Sequence, residues 1–226
     1  MEILKLTSGN DIEEYWKLVK GLGDLYDECF DDGDEKERFY SVILERVKDI
    51  GTFDPRTELH IAHEDGKTVG GAIYDVYWEP AGGTTVHLIY LMVAEDHRRK
   101  NIGSELLDYG KERFKDQPIF IEIDKDWTDE TPGHGGVNAL QRSLFYKKNY
   151  MHVVLWDSYI QPPLEKGGEW CDKLMLCAIG RRPSKKEAYR FLVDLYKSLG
   201  VLGTYEGDNM LNLMRWRLNV YQPQPS

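Results

Sequence analysis

The sequence predicts a mixed α/β (α+β) fold, because strand-like and helix-like patterns follow one another along the chain. A nearly unbroken apolar run, Val86 to Val93, is typical of a buried strand. The alternating segment Ile119 to Ile123 predicts another strand. Between the two, residues that suit a packed helix recur at helical spacing, at Ile102, Leu106, Leu107, Gly110 and Phe114.

The amino-terminal part is predicted to open with a strand over Glu2 to Leu6 and a helical region that starts at Asp11. A second helix is expected over about Asp34 to Ile50, because acidic residues that can cap it come directly before. Two further strands, Glu58 to His63 and Val69 to Trp78, are separated by a short Asp-Gly turn. This pattern predicts a hairpin.

Three elements are expected after the central strands. They are a helix that ends near Asn149-Tyr150, a strand over His152 to Trp156 and a last strand over Trp170 to Ile179. The run Arg181-Arg182-Pro183-Ser184 then marks a boundary, since Pro and Ser favour a new helix start.

We therefore expect a main domain over residues 1–179 and a helical extension over 180–226. The extension is predicted to hold two amphipathic helices, whose apolar stripes include Leu192, Leu195, Leu211, Met214 and Trp216. Two such helices cannot form a stable core alone. They must pack on the main domain or on a second subunit.

Composition excludes several classes of function. The net charge of −10 argues against nucleic-acid binding, which depends on a concentrated positive surface. No apolar stretch approaches the roughly 18 residues that span a bilayer, and the first residues lack a signal-peptide profile, so no membrane partner is expected. Three cysteines without a C-x-x-C pair favour a reducing compartment, and a cytoplasmic location is the default expectation.

The turn Arg98 to Ser104 carries the strongest functional signal. It follows the apolar strand, contains three basic residues and one glycine, and opens a helix. Backbone N–H groups at a helix start in a positive field suit an anionic pyrophosphate. The turn is neither G-x-G-x-x-G nor G-x-x-x-x-G-K-[ST]. The alternative is an ordinary strand-to-helix turn with exposed basic side chains.

This turn resembles the R/Q-x-x-G-x-G/A loop of the GNAT superfamily of N-acetyltransferases, which binds the pyrophosphate of acetyl-coenzyme A. Arg98 takes its first position, Gly103 its last, and Asn101 replaces the middle glycine. Asn tolerates a left-handed backbone, so the turn can survive the change. A strand carrying Glu, a helix ending in Phe145-Tyr146 and then Asn149-Tyr150, and a further strand also resemble the family's order.

The resemblance implies a mostly antiparallel sheet flanked by helices, with acetyl-coenzyme A as co-substrate. In the family, the central strand pairs with the pantetheine arm through its backbone, and an Asn in the final helix is common. Here the Asn precedes Tyr146 by eight residues rather than seven. The cofactor-binding residues implied are Leu91, Met92, Val93, Arg98, Arg99, Lys100, Asn101, Ile102, Gly103, Ser104 and Asn138.

Two residues are predicted to be catalytic. The resemblance places Tyr146 where family members carry a general acid for the departing thiolate. Glu122 is the candidate general base, because it points opposite to the apolar residues of its strand; His87 and Tyr90 compete with it, and their spacing of three predicts opposite faces. For each of these residues the alternative is a packing role or a solvated strand face. Carboxylates that could hold a cationic substrate are Asp124, Asp126 and Glu79.

Metal and covalent chemistry are not predicted. His60 and His63 lie three apart on a strand and therefore face opposite sides. The loop with His134, Asp126, Asp129 and Glu130 matches no EF-hand. Cys171 and Cys177 are far from the motifs, so no covalent enzyme intermediate is expected.

The resemblance thus implies acetylation of a primary amine by direct transfer in a ternary complex. Loops over 124–136 and 161–170 are expected to wall the substrate site. The acidic charge favours a cationic small-molecule or peptide amine as partner, and a homodimer is left open. The alternatives are an acyl-coenzyme A-binding regulatory or sensor module without catalysis, and an enzyme that uses another acyl donor.

Overall fold

The structure, a computed structural model, describes residues 1–7, 9–30, 56–79, 83–125, 138–164 and 168–219. Its strands are β1 (Glu2–Leu6), β2 (Arg56–Glu64), β3 (Lys67–Glu79), β4 (Gly83–Val93), β5 (Ile119–Asp124), β6 (Met151–Leu155) and β7 (Leu174–Ile179). Its helices are α1 (Gly9–Glu14), α2 (Trp16–Cys29), α3 (Ile102–Arg113), α4 (Ala139–Lys148), α5 (Lys185–Ser198) and α6 (Tyr205–Leu218). The helix predicted over Asp34 to Ile50 and positions 126–136 of the predicted loop lie outside the described residues.

The strands form one sheet in the order β1-β2-β3-β4-β5-β7-β6. All neighbours are antiparallel except β4 and β5, which run parallel. In this parallel pair only two positions are paired, Val86 with Ile119 and His87 with Phe120. Beyond them the two strands part toward their carboxyl ends. The predicted fold class, a mixed and mostly antiparallel sheet flanked by helices, is confirmed.

Helices cover both faces of the sheet. On one face, Leu106 and Leu107 of α3 share a core with Val86 of β4 and Ile121 of β5. On the opposite face, α2 packs on β1, β2 and β3, and α5 packs beside it on β4 and β5. The parting strands therefore lie between two helical layers.

The two carboxy-terminal helices pack on the sheet of the same chain. Phe191 of α5 stacks on Phe120 of β5 with ring centroids 4.3 Å apart, and Met214 of α6 is buried in the same cluster. Burial of large apolar side chains contributes roughly 1.5–3 kcal/mol each, which explains why these helices dock. Trp216, predicted to belong to the buried stripe, is 69% exposed, because it lies on the outer side of α6.

Several predicted boundaries shift. The helical region from Asp11 is two helices, separated at Tyr15. The last strand begins at Leu174 rather than Trp170, and in the preceding segment only Cys171 forms an isolated bridge, to Gln161. In the helices that the structure describes, no segment is long and apolar enough to cross a membrane.

Candidate active site

The start of α3 leaves backbone donors unused. Asn101, the residue before the helix, has a left-handed backbone with φ 69°, and its side chain caps none of the first N–H groups. The N–H groups of the first helical turn have no intrahelical acceptor. The prediction that Asn101 supports the left-handed turn is confirmed. Arg99 also has a positive φ, 64°, so the loop contains two left-handed residues, a backbone conformation that is common in anion-binding turns.

The three basic side chains of this loop have different surroundings. Arg99 and Lys100 are exposed. Arg98 is half-buried, and its Nε donates to the backbone oxygen of Val93 at 3.3 Å. Arg98 therefore ties the loop to the end of β4, while the other two lie at the surface, where an anion would approach.

The loop is joined to the end of α4. A Cβ on Gly103 would lie 3.2 Å from Cζ of Phe145, so only glycine fits without displacing that ring. Asn149 Nδ2 lies 3.4 Å from Oγ of Ser104 and also donates to the carbonyl of Phe145 at 2.9 Å. The two separate sequence signals, the basic turn and the Phe-Tyr helix end, thus form one contact region.

A β-bulge shapes the middle of β4. Leu88 and Tyr90 pair with consecutive residues of β3, so Ile89 is one extra residue in β4. The bulge places His87 and Tyr90 on the same face of the sheet. The prediction that they face opposite sides is therefore wrong, because a simple period of two does not continue through a bulge.

The bulge separates the environments of the two competing residues. Tyr90 packs edge-on against Tyr26 of α2 and against Phe30, with ring centroids 4.9 and 5.0 Å away. His87 instead meets the ring of Phe191 at 5.2 Å, and its Nε2 lies 3.3 Å from Oε2 of Glu122. The structure brings His87, and not Tyr90, to the carboxylate.

Glu122 is held by several donors where β4 and β5 part. The hydroxyl of Tyr159 donates to its Oε1, and Gln161 Nε2 donates to its Oε2 at 3.0 Å. Burial acts to raise the pKa of Glu122, but contacts with His87, Tyr159 and Gln161 outweigh burial and lower the pKa. The side chain, 11% exposed, is thus an ionised carboxylate inside the protein.

Tyr159 was not predicted as a site residue. Gln161 was predicted only at the edge of a loop expected to wall the substrate site. Both residues follow β6 and reach Glu122 across 37 and 39 positions of the chain. Residues this far apart in the sequence produce no local pattern that would predict their contact.

Tyr146 lies on α4, half-buried against the core beside α3 and next to the ring of Phe145 at 5.2 Å. Burial raises the pKa of Tyr146 to about 12, with Arg142 acting in the opposite direction. The phenol therefore stays protonated near neutral pH. Arg142 Nη2 in turn lies 2.5 Å from Oδ2 of Asp124, the carboxylate predicted as a possible substrate anchor.

Asn138 is the N-cap of α4, because its Oδ1 accepts from the backbone N–H of Gln141 at 2.8 Å. The side chain thus has a structural partner at the start of this helix.

Metal-binding and nucleophilic groups are sparse around the site. Among the described side chains, no group of three or more His, Cys, Asp or Glu could hold a metal ion. His60 is buried beneath α3, and His63 lies on the other face, as predicted. All three cysteines are free, and burial raises the pKa of the Cys177 thiol to about 12.

Comparison with known proteins agrees with this geometry. The profile of the Acetyltransferase (GNAT) family matches residues 19–131, half of the chain. A search of curated proteins found no match.

Solved structures share the fold. A protein assigned to the GNAT family from Bacteroides thetaiotaomicron is 16% identical, with a TM-score of 0.58 over 89% of this chain and 99% of that one. A GNAT-family protein from Desulfovibrio desulfuricans is 13% identical, with a TM-score of 0.51 over 79% and 97%. An aminoglycoside 6'-acetyltransferase of type Ii is 18% identical, with a TM-score of 0.50 over 81% and 100%.

Proposed function

The chain belongs to the GNAT family of acetyltransferases, and from that premise we propose that it acetylates a primary amine with acetyl-coenzyme A by direct transfer. The observation that carries the proposal is the parting of β4 and β5 directly beside an ionised Glu122 and an uncapped helix start. In this proposal the opening between the two strands receives the thioester, with the anion site at the helix start and the proton acceptor at Glu122.

The residues present fit the cofactor. The β5-facing edge of Leu91, Met92 and Val93 has no strand partner among the described residues, and the uncapped N–H groups of the first turn of α3 lie just beyond. These strand residues would hold the pantetheine arm. The residues that would hold the pyrophosphate are Arg98, Arg99, Lys100, Asn101, Ile102, Gly103 and Ser104. Asn138 caps the start of α4, the opposite end of that helix from the Asn149 that meets this loop. Acetyl-coenzyme A supplies the acetyl group as a thioester.

Glu122 acts as the general base in this proposal. Amines are protonated near neutral pH, so transfer requires a group that takes a proton from the ammonium. Glu122 is ionised and lies where the strands part, with the Nε2 of His87 3.3 Å from its Oε2. Its Oε atoms can accept the proton directly or through a water molecule.

Tyr146 acts as the general acid. Its hydroxyl stays protonated, because burial raises its pKa, and it lies on the helix that contacts the anion-binding loop. In this proposal the phenol donates its proton to the departing thiolate, and the resulting thiol is a poorer nucleophile for the reverse reaction.

The acceptor is proposed to be a small-molecule or peptide amine with a net positive charge. The protein carries a net charge of −10, and a negative field raises the local concentration of cations. Neutral acceptors would gain nothing from this field.

Release of coenzyme A measured with a panel of primary amines tests the function. The panel should include a diamine, a polyamine and a short peptide with a free amino terminus. Amine-dependent release is expected. Tight binding of acetyl-coenzyme A without coenzyme A release for any amine would support the sensor module instead. Faster release of coenzyme A from a longer acyl thioester would show that the enzyme prefers an acyl donor other than acetyl-coenzyme A.

A further inference from the structure

The segment that joins β6 to β7 reaches Glu122 with two side chains. Tyr159, fully buried, donates to Oε1, and Gln161 donates to Oε2 at 3.0 Å. Each oxygen of the carboxylate is therefore held by one residue of this segment. The two donors are separated in sequence only by Ile160.

Lys125 fixes the segment to the end of β5. Its Nζ donates to the backbone oxygens of Asp157 at 3.4 Å, Tyr159 at 3.5 Å and Asp172 at 2.6 Å. Because Lys125 directly follows β5, the end of the strand that carries the carboxylate also holds the backbone of one of its two donors, Tyr159.

Helix α5 holds the same segment from the other side. The hydroxyl of Tyr196 donates to the backbone oxygen of Ile160 at 2.9 Å, between the two donors. The ring of Tyr196 also packs against Trp170, with centroids 5.9 Å apart. The hydrogen bond from Tyr196 therefore connects α5 to Ile160, which lies directly between the two residues that donate to the Glu122 carboxylate.

We propose that Tyr159 and Gln161 are positioning residues for Glu122, and that α5 supports the reaction by holding them through Tyr196. The inference rests on the proposed role of Glu122 as the base. A glutamate has three rotatable bonds, and two donors at fixed points select one of its orientations. The same donors keep the buried carboxylate ionised, which a base requires.

Titration of the Glu122 carboxyl by carbon-13 NMR tests the contact without any substrate. The signal is assigned by its loss in Glu122→Gln. In Tyr159→Phe the pKa of Glu122 should rise by about one to two pH units, the effect of one charge-assisted hydrogen bond. Tyr196→Phe should raise it less, and Tyr205→Phe, a change at an exposed tyrosine of α6, should not move it.

The rate provides the second readout. With acetyl-coenzyme A and the amine panel, Tyr159→Phe should lower kcat about tenfold and move the acidic limb of the pH profile upward, while KM for acetyl-coenzyme A stays constant. If Tyr159→Phe fails to fold, Gln161→Met offers the same two readouts at the other oxygen.

The outcomes separate the two proposals. An unchanged Glu122 titration in Tyr159→Phe and Gln161→Met overturns the positioning role. Full activity of Glu122→Gln, together with a shifted titration in Tyr159→Phe, would refute Glu122 as the base while showing that the carboxylate is held as described.

Discussion

The Nε2 of His87 lies 3.3 Å from the Oε2 of Glu122, across the point where β4 and β5 stop pairing. The sequence presented these residues as competitors for one role, and the structure makes them neighbours. His87 is one of the causes that lower the pKa of Glu122. A carboxylate beside an imidazole at the opening between two strands suits a proton acceptor for an amine bound there.

Glu122→Gln should lower kcat by roughly 10²–10⁴-fold, because the amide keeps the shape of the side chain and cannot accept the proton. Affinity for acetyl-coenzyme A, measured by calorimetry, should not change. The exposed Glu112→Gln on α3 is the matched control. Since the pKa of Glu122 is lowered, this group should cause no loss of kcat/KM as pH falls from 7 to 5. An amide variant with the native rate would exclude Glu122 as the base.

Tyr146→Phe should lower kcat by roughly 10²–10⁴-fold with little change in cofactor affinity, because only the proton donor is removed. The ring still packs beside Phe145 and against the core, so the melting temperature should stay near the native value. Steady-state rates at saturating amine are the measurement. Retention of full kcat would show that Tyr146 has only a packing role.

Gly103→Val should abolish binding of acetyl-coenzyme A, since a branched side chain would block the backbone that approaches the pyrophosphate. The structure adds a second effect, because even a Cβ would lie 3.2 Å from the Phe145 ring. The double variant Gly103→Ala with Phe145→Leu separates these two effects, because it keeps a Cβ in the loop and removes the ring that the Cβ would contact. Native stability of this variant with weakened cofactor affinity would assign the loss of binding to the loop. Native affinity in Gly103→Val would refute the cofactor site.

Asn101 provides a matched pair of substitutions. Asn101→Gly should keep cofactor affinity, because glycine adopts a φ of 69° without strain. Asn101→Val should lose stability by about 1–2 kcal/mol, the cost of a left-handed backbone, and should weaken binding as the turn distorts. Chemical denaturation and calorimetry measure the two effects. Equal affinity in both variants would mean that the left-handed turn is not needed for the cofactor.

Local chemistry accounts for what the sequence could predict. The left-handed Asn101 was foreseeable because the backbone preference of Asn acts within one residue. The bulge at Ile89 was not, since it depends on how β4 pairs with β3. Tyr159 could not be predicted for a similar reason, because its partner, Glu122, lies on β5, 37 positions away in the chain. Apolar spacing likewise predicted a packed α6 but could not tell that Trp216 faces solvent.

A buried charged cluster on the opposite half of the sheet gives the last prediction. Glu58 is fully buried, pairs with Arg56, and accepts from Arg113 Nη2 at 2.9 Å and Nε at 3.2 Å. Burial acts to raise the pKa of Glu58, but His60 and the two arginines outweigh it and lower the pKa to about 2. Arg113 is the last residue of α3, so this pair fastens the far end of the helix that begins at the cofactor loop.

The stability that Glu58 contributes should depend on pH. Because its pKa is lower in the folded protein than the ordinary value of 4.5, the contribution is complete above about pH 4.5 and is lost as pH falls toward 2. Glu58→Gln should cost about 2 kcal/mol at pH 7, less than the 3–5 for a fully buried pair, since both arginines are partly exposed. Urea unfolding at pH 7 and pH 3.5 measures the difference, with Glu112→Gln as control. The cost of Glu58→Gln should be smaller at pH 3.5, because acidification removes part of the stability that the carboxylate charge gives the native protein. An equal cost at both pH values would show that this charge does not stabilise the fold.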